Sequence, residues 1–262
     1  MAFADPVNRW TRQELTQQIR VGELLIGGPE FVVIAGLTAA AAPEEVFECA
    51  SKAKLFGARL LRGRMSSEDG LRKLRAAADA IGLPLVVEVE DVAFFRQAEE
   101  ISDMLQCKIG NVMYARASET GRSRKPILLS RGGHALAELL GAAARIDPQV
   151  PLALAESGSA WRNVSLDIGI LPRLRENTNH PVLVDVSRAA SSVAHVTALA
   201  CAALAAGADG VIIEVGLPSN SPRRSLTPRQ LAELMPVLWQ MAPAVGRVLP
   251  AYSGRVSDDW KE

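Results

Sequence analysis

The chain has 262 residues, 48% hydrophobic and 22% charged, which suits one large globular domain and excludes a disordered or fibrous chain. Its 29 Lys+Arg balance 29 Asp+Glu, so no global field draws in nucleic acid or an anionic membrane, and neither is expected as a partner. The cysteines Cys49, Cys107 and Cys201 show no metal-ligand spacing, the amino-terminal stretch lacks an apolar leader core, and no apolar run reaches a membrane span, so a soluble cytoplasmic protein is expected.

In chain order, RVGELLIGGPE reads first as a short β-hairpin with a Gly-Gly turn, placed to close the bottom of the fold that follows. Short apolar runs then recur with room for one helix between them. They are FVVIAG (31–36), ARLLRG (58–63), PLVVEV (84–89), MLQCKI (104–109), PILLSR (126–131), PLALAE (151–156), PVLVDV (181–186) and GVIIEV (210–215). Near-continuous apolarity, rather than alternation, marks strands buried on both faces of a parallel sheet.

The segments between these runs read as helices. PEEVFECASKAKLFG has Pro43 at a helix start and stops at Gly57. SSEDGLRKLRAAADAIG offers Ser66 or Ser67 as N-cap, acidic residues in its first turn, and Gly82 as its stop. HALAELLGAAARI, SSVAHVTALACAALAAG and TPRQLAELMPVLWQMA carry apolar stripes at helical spacing, while NVMYARASETG after the fourth run is weaker. Eight strand–helix units in order predict an α/β fold, a (β/α)8 TIM barrel over residues 31–244. An N-terminal segment and hairpin (1–30) precede it, and a polar Pro- and Gly-containing tail (245–262), expected to be partly mobile, follows.

At this point the residues resemble a known family. FVVIAG, GARLLRG, LRKLRAAADAIGLPLVVEVED, KPILLSRGG, WRNVSLDIGILPRLRENTNHPVLVD, AALAAGADGVIIEV and SLTPRQLAELM follow, in order, the barrel-only type of 3-deoxy-7-phosphoheptulonate (DAHP) synthase. The resemblance runs from about residue 20 to residue 240. It implies a barrel whose relatives join phosphoenolpyruvate to erythrose 4-phosphate, using a divalent metal and a ring of cations around the phosphates. It also implies a homo-oligomer. Sites on this fold sit at the carboxyl ends of the strands, so function is read there.

Several family positions are changed. The metal-binding Cys of Gly-Pro-Cys is absent from Gly36-Leu37-Thr38-Ala39, and the His of Asp-Pro-Ser-His is Arg188 in Asp185-Val186-Ser187-Arg188. Of the implied metal ligands only Glu214 remains, because GLPSNSPRRSL has no counterpart of the last Asp. Arg62 matches a phosphoenolpyruvate contact. The Lys-Pro-Arg-Thr loop after it is shortened to RMSSEDG, and Gly-Ala-Arg-Asn becomes Lys108-Ile109-Gly110-Asn111. Lys-Arg-Gly becomes Ser130-Arg131-Gly132, and Glu-Arg-Gly becomes Glu156-Ser157-Gly158. Such changes remove the guanidinium forks and ammonium groups that hold phosphate. No metal and no cofactor are expected.

The remaining polar residues are Arg62, Arg131, Arg188 and His134 as binding candidates, and Lys108, Glu156, Asp185 and Glu214 as proton-transfer candidates, with Glu88 and Gln106 deeper. A small anionic molecule, a carboxylate or keto acid, is the expected ligand of a metal-independent enzyme. The alternative is a non-catalytic homologue that binds a metabolite or an active partner, and a surviving synthase is the remote third. The two leading readings differ in the mouth. Unpaired Arg62 and Arg188 fit the enzyme, whereas Arg188–Glu214 and Arg131–Glu156 pairs fit the non-catalytic form. Lys108, if desolvated, could form a Schiff base, against the plainer role of a rim lysine. His180 and His195 read as residues away from the chemistry, Cys107 as core, and Trp161 and Trp239 as helix-packing aromatics.

Overall fold

The computed structural model describes residues 16–37, 42–64, 67–110, 125–158, 166–217 and 224–250. An antiparallel hairpin, β1 (Ile19–Val21) and β2 (Leu24–Ile26), leads into eight parallel strands closed into a barrel. These are β3 (Val32–Leu37), β4 (Leu60–Arg64), β5 (Leu85–Val89), β6 (Met104–Lys108), β7 (Ile127–Ser130), β8 (Leu152–Glu156), β9 (Val182–Asp185) and β10 (Gly210–Glu214). Six lie inside one of the eight apolar runs, β3 and β4 extend one residue past theirs, and β10 pairs with β3 to close the ring. The (β/α)8 expectation is met.

The helices are α1 (Pro43–Leu55), α2 (Glu68–Ile81), α3 (Phe95–Ile101), α4 (Leu136–Ala143), α5 (Ile170–Asn177), α6 (Val186–Ala189), α7 (Val193–Ala205) and α8 (Pro228–Met241). Ser67 caps α2 by accepting from the Gly70 amide at 3.1 Å, and Gly82 ends it in the left-handed conformation that a side chain resists. The segment NVMYARASETG and Trp161 lie outside the described residues. Among the described residues, no helix is long and apolar enough to cross a membrane.

Parity along each strand separates two cores. Val33, Leu61, Val87, Leu105, Leu129, Leu154, Val184 and Ile213 face outward and pack under the helices. Ile34, Leu60, Val86, Met104, Leu128, Ala153, Leu183 and Ile212 face the lumen, where they meet Ile19, Val21, Leu24 and Ile26 from the hairpin. The hairpin therefore plugs the barrel, as expected, but its turn is Gly22-Glu23 and not Gly-Gly. Gly27 instead turns the chain after β2 with a φ of 93°, its would-be Cβ 2.8 Å from the Gln17 carbonyl.

The carboxy-terminal expectation needs a correction as far as residue 250. Arg247 and Leu249 are buried, and Val248 bridges to Glu30. Arg247 donates to Asp209 Oδ1 at 2.8 Å and to the Gly28 carbonyl at 2.8 Å. Arg175 on α5 holds the other Asp209 oxygen at 2.8 Å. This buried clamp ties the hairpin, α5 and the end of the described chain under the barrel, where composition alone suggested a loose tail.

Candidate active site

At the carboxyl ends of the strands the lumen changes from apolar to ionic. The strand register puts Gly36, Arg62 and Glu214 in one inward row, and Arg64, Glu88 and Gln106 in the next. Arg62 is the hub. Its Nε donates to Gln106 Oε1 at 2.8 Å, its Nη1 to Glu214 and its Nη2 to Glu88. Gln106 in turn donates to Ser130 Oγ at 3.0 Å, so the hub is anchored across to β7. Asp185 Oδ2 stands 3.9 Å from Arg62 Nη2.

Arg188 enters from α6, immediately after β9. Asp185 caps that short helix by accepting from the Arg188 amide at 3.0 Å. The guanidinium Nη2 then reaches both Glu88 oxygens, at 2.7 and 2.8 Å. Arg188 thus pairs with Glu88 and not with Glu214, a correction to the expected pairing: Glu88 is shared by Arg188 and Arg62, while Glu214 pairs with Arg62. Arg64 Nε adds a third cation to Glu88 at 3.3 Å.

Charge sets the protonation of this cluster. Burial disfavours the Glu88 carboxylate, but Arg62 and Arg188 outweigh it and lower its pKa to about 2. Burial likewise works against the Arg62 cation, yet Glu88, Glu214 and Asp185 raise its pKa further above the ordinary value. The same holds for Arg188 beside Asp185 and Glu88. Glu214 goes the other way: burial raises its pKa, only partly countered by Arg62.

The other sequence candidates separate from this cluster. Arg131 and Glu156 form a two-pronged buried pair, Nη2 to Oε1 at 2.7 Å with a second bond from Nε. Ser130 and Ala155 are the lumen-facing neighbours on their strands, so Arg131 and Glu156 fall on the outward parity beside the lumen. His134 follows Arg131, its carbonyl accepting from Arg131 Nη1 at 2.6 Å and its ring lying 3.4 Å from Glu138. Lys108 is in lumen register but its side chain is 42% exposed and 3.4 Å from Glu90. That is not the desolvated amine that Schiff-base chemistry needs.

His180 precedes β9 at the barrel bottom, where burial lowers its pKa. His195 is exposed on α7 with Ser191 Oγ at 2.8 Å. Cys107 is core, its thiol pushed up to about 12 by burial. Trp239 is half exposed, against the expectation that it packs between helices. A cavity of about 340 Å³ beside Gly22, Arg59, Arg75 and Pro84 lies at the hairpin end, away from these strand ends.

Among the described residues, the donor set does not fit the divalent metal that the resemblance implies. A metal needs converging, unneutralised ligands. Glu214 is held by Arg62, and Glu88 by Arg188 and Arg62. Among the described residues, no group of three or more His, Cys, Asp or Glu is placed to hold a metal ion.

Sequence reasoning places Arg62, Arg188, Glu88 and Gln106 in the pocket but misses Arg64. The signal was available: Arg64 lies two residues beyond Arg62, on the same strand face. Ser157 was noted only as a lost arginine.

Comparison with known proteins agrees with the fold. The model of the DAHP synthetase I family matches residues 12–247. The phospho-2-dehydro-3-deoxyheptonate aldolase of Thermotoga maritima is 31% identical over 253 residues, covering 87% of this chain and 75% of that protein. The crystal structure of that aldolase (DAHP synthase) superposes with a TM-score of 0.81 at 30% identity, over 90% of this chain and 75% of the other. A truncated form of the 3-deoxy-D-arabino-heptulosonate 7-phosphate synthase from Thermotoga maritima gives a TM-score of 0.80 at 30% identity, with 90% of this chain and 95% of that one covered. A match this long, on the same closed barrel, makes the chain a member of the DAHP synthetase I family.

Proposed function

We propose that this family member has given up the metal- and phosphate-dependent condensation, and that its barrel mouth binds a small carboxylate without turning it over. The observation that carries this reading is the engagement of Arg62 on all three nitrogens by Gln106, Glu214 and Glu88. A guanidinium engaged on every nitrogen and 2% exposed presents no free two-pronged edge to a phosphate. Arg188 is different. Its Nη2 serves Glu88, while its side chain is 19% exposed, which leaves one edge for a single small anion.

The test is calorimetric titration of the full chain with pyruvate and with inorganic phosphate. Saturable pyruvate binding is expected, weakened at least about tenfold in Arg188→Ala, since a charge-assisted pair contributes that much. Phosphate binding that tightens on adding a divalent metal would contradict the reading.

Glu214 favours a second reading, a metal-independent enzyme acting on a keto acid. Burial raises its pKa, and it sits at the mouth, so it can hold a proton that a surface carboxylate would lose. Exchange of the pyruvate methyl protons in deuterated water, followed by proton NMR, tests this. Exchange abolished in Glu214→Gln supports turnover, and no exchange above buffer removes it. A homo-oligomer and a cytoplasmic location belong to the same proposal, and sedimentation of the full chain tests the first.

A further inference from the structure

Two buried polar atoms in the mouth have no hydrogen-bond partner, Ser157 Oγ and Asp185 Oδ2. Both residues are fully buried. Such orphans are uncommon because an unmade hydrogen bond in the interior forfeits the solvation of the group.

The two atoms belong together. Glu156 on β8 is in register with Val184 on β9, so the next position sets Ser157 beside Asp185 on neighbouring strands. Parity points both into the lumen, since Ala155 and Leu183, two residues earlier, belong to the lumen cluster. Asp185 Oδ1 is committed to the Arg188 amide. Its Oδ2 has cations at 3.5 Å (Arg188 Nε) and 3.9 Å (Arg62 Nη2), which compensate its charge without making a hydrogen bond.

The neighbouring lumen positions on β7 and β8 are Ser130, Ala153 and Ala155, all short. By resemblance, long cations stand at 130 and 157 in the family, and both are serine here. The chemistry at this spot is thereby inverted. Two hydroxyls replace cationic donors beside the acceptor-only carboxylate of Asp185, so the site disfavours a phosphate oxygen and can accept an N–H or O–H.

We propose that Ser157 and Asp185 form a donor-binding subsite, and that the ligand is a small carboxylate bearing a hydroxyl or ammonium group next to its acid. This rests on the carboxylate-binding reading above and names its substrate class. The acid lies on the exposed edge of Arg188, whose Nη1 makes no hydrogen bond among the described residues, and the neighbouring donor lies on Asp185 Oδ2 and Ser157 Oγ. Asp185 joins the two halves, because it both caps α6, which aims Arg188, and offers the orphan oxygen.

The experiment titrates the full chain calorimetrically with L-lactate, L-alanine and pyruvate, three acids of one carbon skeleton. Lactate carries a hydroxyl, alanine an ammonium and pyruvate no donor. At least one of the first two binds about tenfold or more tighter than pyruvate, the factor expected of a hydrogen bond to a charged group. Ser157→Ala, which removes an orphan and leaves the fold intact, and Asp185→Asn, which keeps a capping oxygen, both bring that ratio toward one.

If pyruvate binds as tightly as both donor acids, the donor subsite is wrong while carboxylate binding stands; that result fits a permanently bound water on the two atoms. If none of the three binds, both readings fall. A preference that survives both substitutions also overturns the subsite, because the donor is then recognised elsewhere.

Discussion

Glu214 lies so close over Gly36 that a Cβ at Gly36 would stand 2.7 Å from its Oε1 and 2.9 Å from its Oε2. The glycine is what lets the carboxylate cross the seam between β10 and β3 and meet Arg62. Gly36→Ala therefore displaces Glu214 from the hub and is expected to lower stability by about 1–3 kcal/mol. In Glu214→Ala the obstacle is gone, so the double variant loses less than the sum of the two single losses. Urea denaturation of the four proteins measures this coupling.

Removing the hub itself is more severe. Arg62→Ala leaves Glu88, Asp185 and Glu214 gathered around a lost cation, with Arg188 and Arg64 as partial compensation. A loss of roughly 3–5 kcal/mol is expected from breaking a buried pair on one side. Arg62→Met, similar in length but uncharged, is expected to lose as much, which separates charge from packing. Chemical denaturation at pH 7 checks both.

Acid tests the cluster with a definite sign. The Glu88 pKa, about 2, lies below its ordinary value of 4.5. The unfolded chain then takes up the proton first, so this stabilisation is complete above the ordinary value and is lost as pH falls from there toward 2. Glu214 has the opposite sign. Its pKa is raised chiefly by burial, so its ionised form opposes folding, and that opposition is relieved as pH falls through the raised value. Glu214→Gln removes the relief, and its stability is expected to fall more steeply than the parent's between pH 6 and 3. Denaturation midpoints across that range read the difference.

At the other end of the barrel, Arg247→Ala is expected to cost roughly 3–5 kcal/mol, because Asp209 stays buried with Arg175 alone. Arg59→Ala removes a pair of similar length, to Glu30, but a partly exposed one, and is expected to cost about 0–1 kcal/mol. Thermal melts of the two variants side by side decide between these magnitudes.

Arg131 gives a test of placement. It lies outside the lumen with Glu156, so Arg131→Ala is expected to lower the melting temperature while leaving carboxylate affinity within about twofold. Calorimetry on the folded variant reads the affinity. A loss comparable to that of Arg188→Ala would put Arg131 back at the mouth.

The barrel was legible because strands buried on both faces leave unbroken apolar runs, and all eight match the runs read from sequence to within one residue. Arg62, Asp185, Arg188 and Glu214 were legible because a strand's end fixes where its side chains emerge. The pairing was not. Which carboxylate Arg188 takes depends on where Arg62, Glu88 and Glu214 meet across the lumen, an arrangement of side chains from different strands that no local pattern records. Parity assigns Arg131 and Glu156 to the outward face only once the register with Ala155 is known, and the buried clamp of Arg247 on Asp209 depends equally on long-range packing. The two orphan atoms were invisible for the same reason, since being unpartnered is a property of the assembled site.

The most direct test of the account follows product formation by the purified full chain from phosphoenolpyruvate and erythrose 4-phosphate, with and without added divalent manganese. The account expects no product above the uncatalysed background in either case, because Glu214 is held by Arg62 and Arg188 stands among the carboxylates. Metal-dependent condensation that disappears in Glu214→Gln would contradict it, and would mean that the ion-pair hub opens to admit the metal.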